Sequence, residues 1–190
     1  MSSFYSNADS SLNQIRPTGT GLAGIGMADY VVSSTVTVEK YKRVTEIVLD
    51  IGFATVNGGH GTEYIIGNYA NQEANLGQMT PAINGYITHV EMICTEVPSL
   101  LADIDLWMAD GLRGGSSSKV DASGTNVQLI NSNGNWTLGR IDDNTWTHGT
   151  GQDLAVDNYY IYLTVGADLA GGPYNAGKFV IRLTGYIAPS

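Results

Sequence analysis

The chain is short of positive charge, cysteine and long apolar runs, and each shortage closes off a class of function. Its 190 residues carry 9 Lys and Arg against 18 Asp and Glu, a net charge of −9. Phosphate backbones are held by clustered Lys and Arg, so nucleic acid is not an expected partner. The one basic cluster, Lys40, Lys42 and Arg43, is flanked by Glu39 and Glu46 and reads as a solvated turn between two strands. The acidic surplus also opposes anionic lipid. No run approaches the roughly 18 apolar residues of a membrane-spanning helix. The first seven residues, Met1 to Asn7, have neither a basic nor an apolar signal region. The expectation is therefore a protein made and used without Sec export or membrane insertion.

Cys94 is the only cysteine, which rules out an intrachain disulfide. It follows Val90 and Met92 on an apolar strand face, where a thiol acts as a small hydrophobe. The three histidines, His60, His89 and His148, show no metal-ligand spacing, and one cysteine cannot complete a zinc site. Charged residues of both signs make up only 14% of the chain, against about 25% in typical soluble proteins. The polar surface falls to Asn, Ser, Thr and 24 Gly, a composition suited to packing against neighbours.

What is present is strand periodicity. Asp103, Asp105 and Trp107 fall on one face of a strand, and Ile104, Leu106 and Met108 on the other. Similar patterns cover Val32 to Val38, Ile47 to Phe53, Thr62 to Ile66, Tyr86 to Cys94, Val127 to Ile130, Tyr159 to Val165 and Lys178 to Tyr186. Residues 68 to 82 read as a polar connection. Asn135-Trp136-Thr137-Leu138-Gly139 and Thr145-Trp146-Thr147-His148-Gly149 echo one another around Asp142-Asp143-Asn144, as one hairpin would. The two last strands are expected to pair with each other at the centre of a sheet. No segment has a sustained 3.6 period, although Leu100-Leu101-Ala102 could form one helical turn. The predicted fold is all-β, a jelly-roll-like antiparallel β-sandwich of about 8–10 strands, spanning residues 30–190.

Residues 1–29 follow no period. They form an extended N-terminal arm rich in Ser, Asn and Gly, with apolar anchors at Phe4, Tyr5, Ile15, Leu22 and Ile25. Ordering each residue of such an arm costs roughly 1–2 kcal/mol of backbone entropy, so it needs a surface to lie on. A neighbouring subunit is the expected one.

Chemistry-bearing motifs are few. Gly19-Thr20-Gly21-Leu22-Ala23-Gly24 matches a dinucleotide fingerprint in letters, but a Pro-containing arm precedes it and β character follows. Asp103 and Asp105 lie about 6.5–7 Å apart along their strand, a spacing like that of a glycosidase pair or half a calcium site. Two catalytic acids usually come from different elements facing a groove, however, and solvated acids on an outward strand face are the preferred reading. With Trp107 they make the one candidate exposed contact face. There is no G-x-S-x-G nucleophile elbow, and no catalytic residue is assigned.

The runs Ile87-Thr88-His89-Val90-Glu91-Met92-Ile93-Cys94-Thr95-Glu96-Val97-Pro98, Asp103-Ile104-Asp105-Leu106, Trp136-Thr137-Leu138-Gly139, Tyr160-Ile161-Tyr162-Leu163 and Ala176-Gly177-Lys178-Phe179-Val180-Ile181-Arg182-Leu183-Thr184-Gly185-Tyr186 carry a resemblance. Over roughly Tyr30 to Ile187 the chain resembles virion structural proteins of tailed bacteriophages, cyanophages and other aquatic phages in particular. The resemblance implies a non-enzymatic head decoration (cement) protein without cofactor. Its partners would be the major capsid protein and copies of itself, as a trimer or other homo-oligomer. It would be made in the host cytoplasm and placed on the capsid surface. Residues 55 to 82 and the arm fall outside the resemblance. A tail or fibre module binding host glycan through Trp107 and its neighbouring carboxylates is the alternative, and a glycan-degrading enzyme a more distant one.

Overall fold

The computed structural model describes residues 31–52, 54, 64–67, 74–100, 103–111, 120, 126–145, 159–166 and 174–187. Among them are nine strands and one short helix: β1 (Val31–Glu39), β2 (Lys42–Asp50), β3 (Gly77–Met79), α1 (Pro81–Asn84), β4 (Tyr86–Glu96), β5 (Ile104–Ala109), β6 (Asn126–Ile130), β7 (Ile141–Thr145), β8 (Tyr159–Val165) and β9 (Lys178–Tyr186). They form a five-stranded sheet, β1-β2-β9-β4-β7, and a four-stranded sheet, β3-β8-β5-β6. Every pairing is antiparallel. The expected all-β sandwich is the fold of this chain.

The strand order has a simple generator. β2 pairs with β9, β3 with β8, β4 with β7 and β5 with β6. Strands 2 to 5 and 9 to 6 thus make one long antiparallel ribbon. Rolling it up adds the pairings β4–β9 and β5–β8, which close the two sheets.

Period-2 patterning supplies the core between them. Ile47, Leu49, Val90, Met92, Cys94, Phe179, Ile181 and Leu183 point inward from the larger sheet, and Ile104, Leu106, Met108, Ile161, Leu163 and Val165 from the smaller. All are buried, and each large aliphatic side chain contributes about 1.5–3 kcal/mol by leaving water. Trp136 closes one end of this core and ties the sheets together. Its Nε1–H donates to the Ile104 carbonyl at 2.8 Å, and its ring meets Phe179 edge-on at 5.3 Å between centroids.

Several local expectations are corrected. β8 and β9 do not pair with each other: β9 is the middle strand of one sheet and β8 an inner strand of the other. Two apolar strands adjacent in sequence satisfy their periodicity equally well by facing each other across a core. The connection over residues 68–82 contains β3 and the start of α1. The Thr80 hydroxyl caps α1 by accepting from the Ile83 N–H, and Pro81 opens it. Residues 131–140 contain no strand, so the first copy of the Trp echo is not a hairpin arm. Asp142 and Asp143 lie within β7, which pairs with β4 rather than sitting in a turn. The expected turn over Lys40, Lys42 and Arg43 is narrower: only Lys40-Tyr41 turn, while Lys42 and Arg43 open β2, and the Arg43 guanidinium donates to the Lys40 carbonyl. The arm anchors Phe4, Tyr5, Ile15, Leu22 and Ile25, together with His60, Trp146 and His148, lie outside the described residues.

Candidate functional site

Two surfaces are built by the sheets. The first is the outward side of the four-stranded sheet, where β5 and β8 place Asp105 opposite Thr164 and Trp107 opposite Tyr162. The expectation of an exposed contact face is corrected at Asp105, which is 5% exposed. Asp103 and Trp107 are half-buried, and Tyr162 and Thr164 are fully buried. Polar residues on an outward strand face can therefore be covered, and period 2 alone does not distinguish the two cases.

Asp105 is held by donors from β6 and the residues after it. Its Oδ1 accepts from the Ser132 backbone N–H at 2.9 Å and lies 3.3 Å from the Ser132 hydroxyl; its Oδ2 accepts from Gln128 Nε2 at 2.8 Å. The Ser132 hydroxyl also contacts Asp103 Oδ1. Asp103 itself packs over Gly166, whose N–H donates to the Asp103 carbonyl at 2.8 Å. A side chain at position 166 would collide, because a Cβ there falls 2.7 Å from the Asp103 carboxyl carbon. Burial pushes the Asp105 carboxyl up from the usual carboxylate range, with the nearby Asp103 charge adding to it and the Ser132 and Gln128 hydrogen bonds opposing it.

Arg140 positions Ser132. Its guanidinium binds Asp142 through Nε at 3.0 Å and Nη2 at 2.7 Å, and donates to the carbonyls of Gly134, Asn135 and Ser132. It also lies 5.0 Å from the Trp136 ring centre. The loop from Ser132 to Asp142 is thereby fastened to the end of the core. Nothing in the local sequence signals that Ser132, Gln128 and Thr164 would meet Asp105, because these contacts arise from sheet pairing and loop placement.

The second surface is the outward side of the five-stranded sheet. The registers align residues into rows running across the strands. Val48, Val180, Ile93 and Ile141 make an apolar row. On one side of it Lys178 bridges Asp50 at 3.6 Å and Glu96 at 3.1 Å. On the other, Arg182 bridges Glu46 at 2.8 Å and Glu91 at 3.2 Å, with Asp143 beyond. Ile141, on the β7 edge, is 54% exposed. His89 lies further along this face with Nδ1 at 3.1 Å from the Thr145 hydroxyl. Cys94 lies on the inner side, buried, and burial pushes its thiol up.

Among the described residues no three His, Cys, Asp or Glu side chains gather into a metal-holding group, and no helix is long and apolar enough to cross a membrane. No protein-family model matches the chain, and no curated protein is significantly similar to it in sequence.

Proposed function

We propose that this chain is a non-enzymatic structural protein of a tailed-phage virion, a head decoration protein that bridges neighbouring capsid subunits. The observation that carries the reading is the outward side of the five-stranded sheet. An apolar row flanked by two ion-paired rows has the anatomy of a protein interface, with an apolar centre inside a polar rim. The rolled-ribbon strand order supports it from a second direction. We read that order as a jelly roll, an architecture that viral capsids and lectin domains use. A low content of charged residues and a sequence rich in Gly, Ser and Asn agree with a protein that works packed against others.

In this reading the sandwich is the rigid body and residues 1–29 drape over an adjacent chain, anchored by Phe4, Tyr5, Ile15, Leu22 and Ile25. The partners are the major capsid protein and further copies of this chain. Apolar burial supplies about 25 cal/mol per Å², and repetition around the shell multiplies weak contacts into stable attachment. Removal of residues 2–26 should leave the far-ultraviolet circular dichroism of the sandwich unchanged and abolish co-sedimentation with capsid shells. Normal decoration by the truncated chain would refute the clamping arm.

A further inference from the structure

We propose that Asp103, Asp105, Ser132 and Thr164 together hold a hard divalent cation, calcium in preference to magnesium. The inference does not depend on the virion reading.

The argument starts from one proton. The Ser132 hydroxyl lies against Oδ1 of both carboxylates, yet it can donate to only one of them. The two carboxylates therefore lie close enough to share one hydroxyl, where Ser132 is 2% and Asp105 5% exposed, and the Ser132 backbone N–H and Gln128 that also donate to Asp105 are neutral. Like charges this close, in a buried place, are stabilised by a neighbouring positive charge. Arg140 is paired elsewhere: its guanidinium bridges Asp142 and donates to the carbonyls of Gly134, Asn135 and Ser132. Among the described residues no Lys, Arg or His forms an ion pair with Asp103 or Asp105.

A second and separate observation points the same way. Thr164 is fully buried, and among the described residues its hydroxyl oxygen has no hydrogen-bond partner. It is the direct register partner of Asp105. In an antiparallel pair this puts both side chains on one face with Cβ atoms about 4.5–5.5 Å apart. A buried hydroxyl costs free energy unless something binds it, and a cation between the carboxylates would take it as a ligand. A proton shared by the two acids would also relieve their repulsion, but it would leave Thr164 without a partner.

The donor set is oxygen throughout: two carboxylates and two hydroxyls, with water completing the shell. Calcium accepts six to eight oxygens in irregular geometry, whereas magnesium demands a near-ideal octahedron. Gly166 contributes by omission, since any side chain there would displace the Asp103 carboxylate.

The test uses the full chain stripped with EGTA, followed by thermal unfolding near neutral pH with added calcium or magnesium chloride. Terbium luminescence sensitised by Trp107, which shares the face with Asp105, provides a direct binding signal. Tm is expected to rise saturably with calcium and less with magnesium. Asp103→Asn and Thr164→Val should each weaken calcium binding about tenfold or more, because affinity follows the ligands supplied. Thr164→Val should fold at least as stably as the parent without calcium, since it removes an unpartnered hydroxyl. No calcium-dependent rise in Tm, or the same response in both variants, would overturn the site. So would a calcium-insensitive chain whose stability depends only on pH, which would mean a shared proton instead.

Discussion

At the scale of single residues, Asp105 couples folding to pH. Its carboxyl is raised chiefly by burial, so the folded chain holds this proton more tightly than the unfolded one. Below the ordinary carboxyl value of about 3.9 both states are protonated. Between that value and the raised one only the folded state is, and unfolding releases the proton. This contribution is therefore complete at low pH and is lost as pH rises through the folded-state value. In calcium-free buffer, denaturant midpoints should fall less steeply with rising pH in Asp105→Asn than in the parent over this window. Parallel profiles for the two would show that Asp105 is not the group responsible. The sequence places Asp103, Asp105 and Trp107 on one face through strict alternation. It does not reveal that Asp105 is covered, nor that Ser132 binds it, because the two residues meet only through the β5–β6 pairing and the loop that Arg140 fastens.

At the scale of elements, α1 shows how a single turn of helix is fixed against a sheet. Asn84 donates through Nδ2 to the buried Thr45 hydroxyl on β2 at 2.8 Å, and its Oδ1 accepts from the Thr80 N–H at 2.9 Å. The helix sits so close to β9 that a Cβ at Gly185 would lie 2.2 Å from the Asn84 carbonyl oxygen. Gly185→Ala should therefore push α1 off β9 and cost about 1–3 kcal/mol, as overpacking does elsewhere, measured as a loss of denaturant midpoint. An unchanged midpoint would mean that α1 docks loosely. The capping residues Thr80 and Pro81 make this helix legible in retrospect, but four residues carry no 3.6 period to announce it. Long strands such as β4 and β9 are legible because alternation persists over nine or more residues, whereas only the second half of β2 is, since its first residues, Lys42 and Arg43, read as a charged turn. Their partners are not, since an alternating strand is equally content beside its sequence neighbour or across the core from it. That is why β8 and β9 fall in different sheets.

At the scale of the whole molecule, a ribbon folded once and rolled up brings distant segments together in register. The β2–β9 and β4–β9 pairings assemble the outward rows of the larger sheet from residues far apart in the chain, 136 positions in the Glu46–Arg182 ion pair. On the outward side of the smaller sheet Asp105 and Thr164 are buried, whereas on that of the larger sheet the apolar row of Val48, Val180, Ile93 and Ile141 lies at the surface. We propose that this surface packs against another protein, the capsid shell. Immunogold electron microscopy of intact virions, with an antibody raised against the sandwich, tests this most directly. Gold distributed over the head surface is the predicted result; gold confined to tails or fibres, or its absence from virions, would contradict the account.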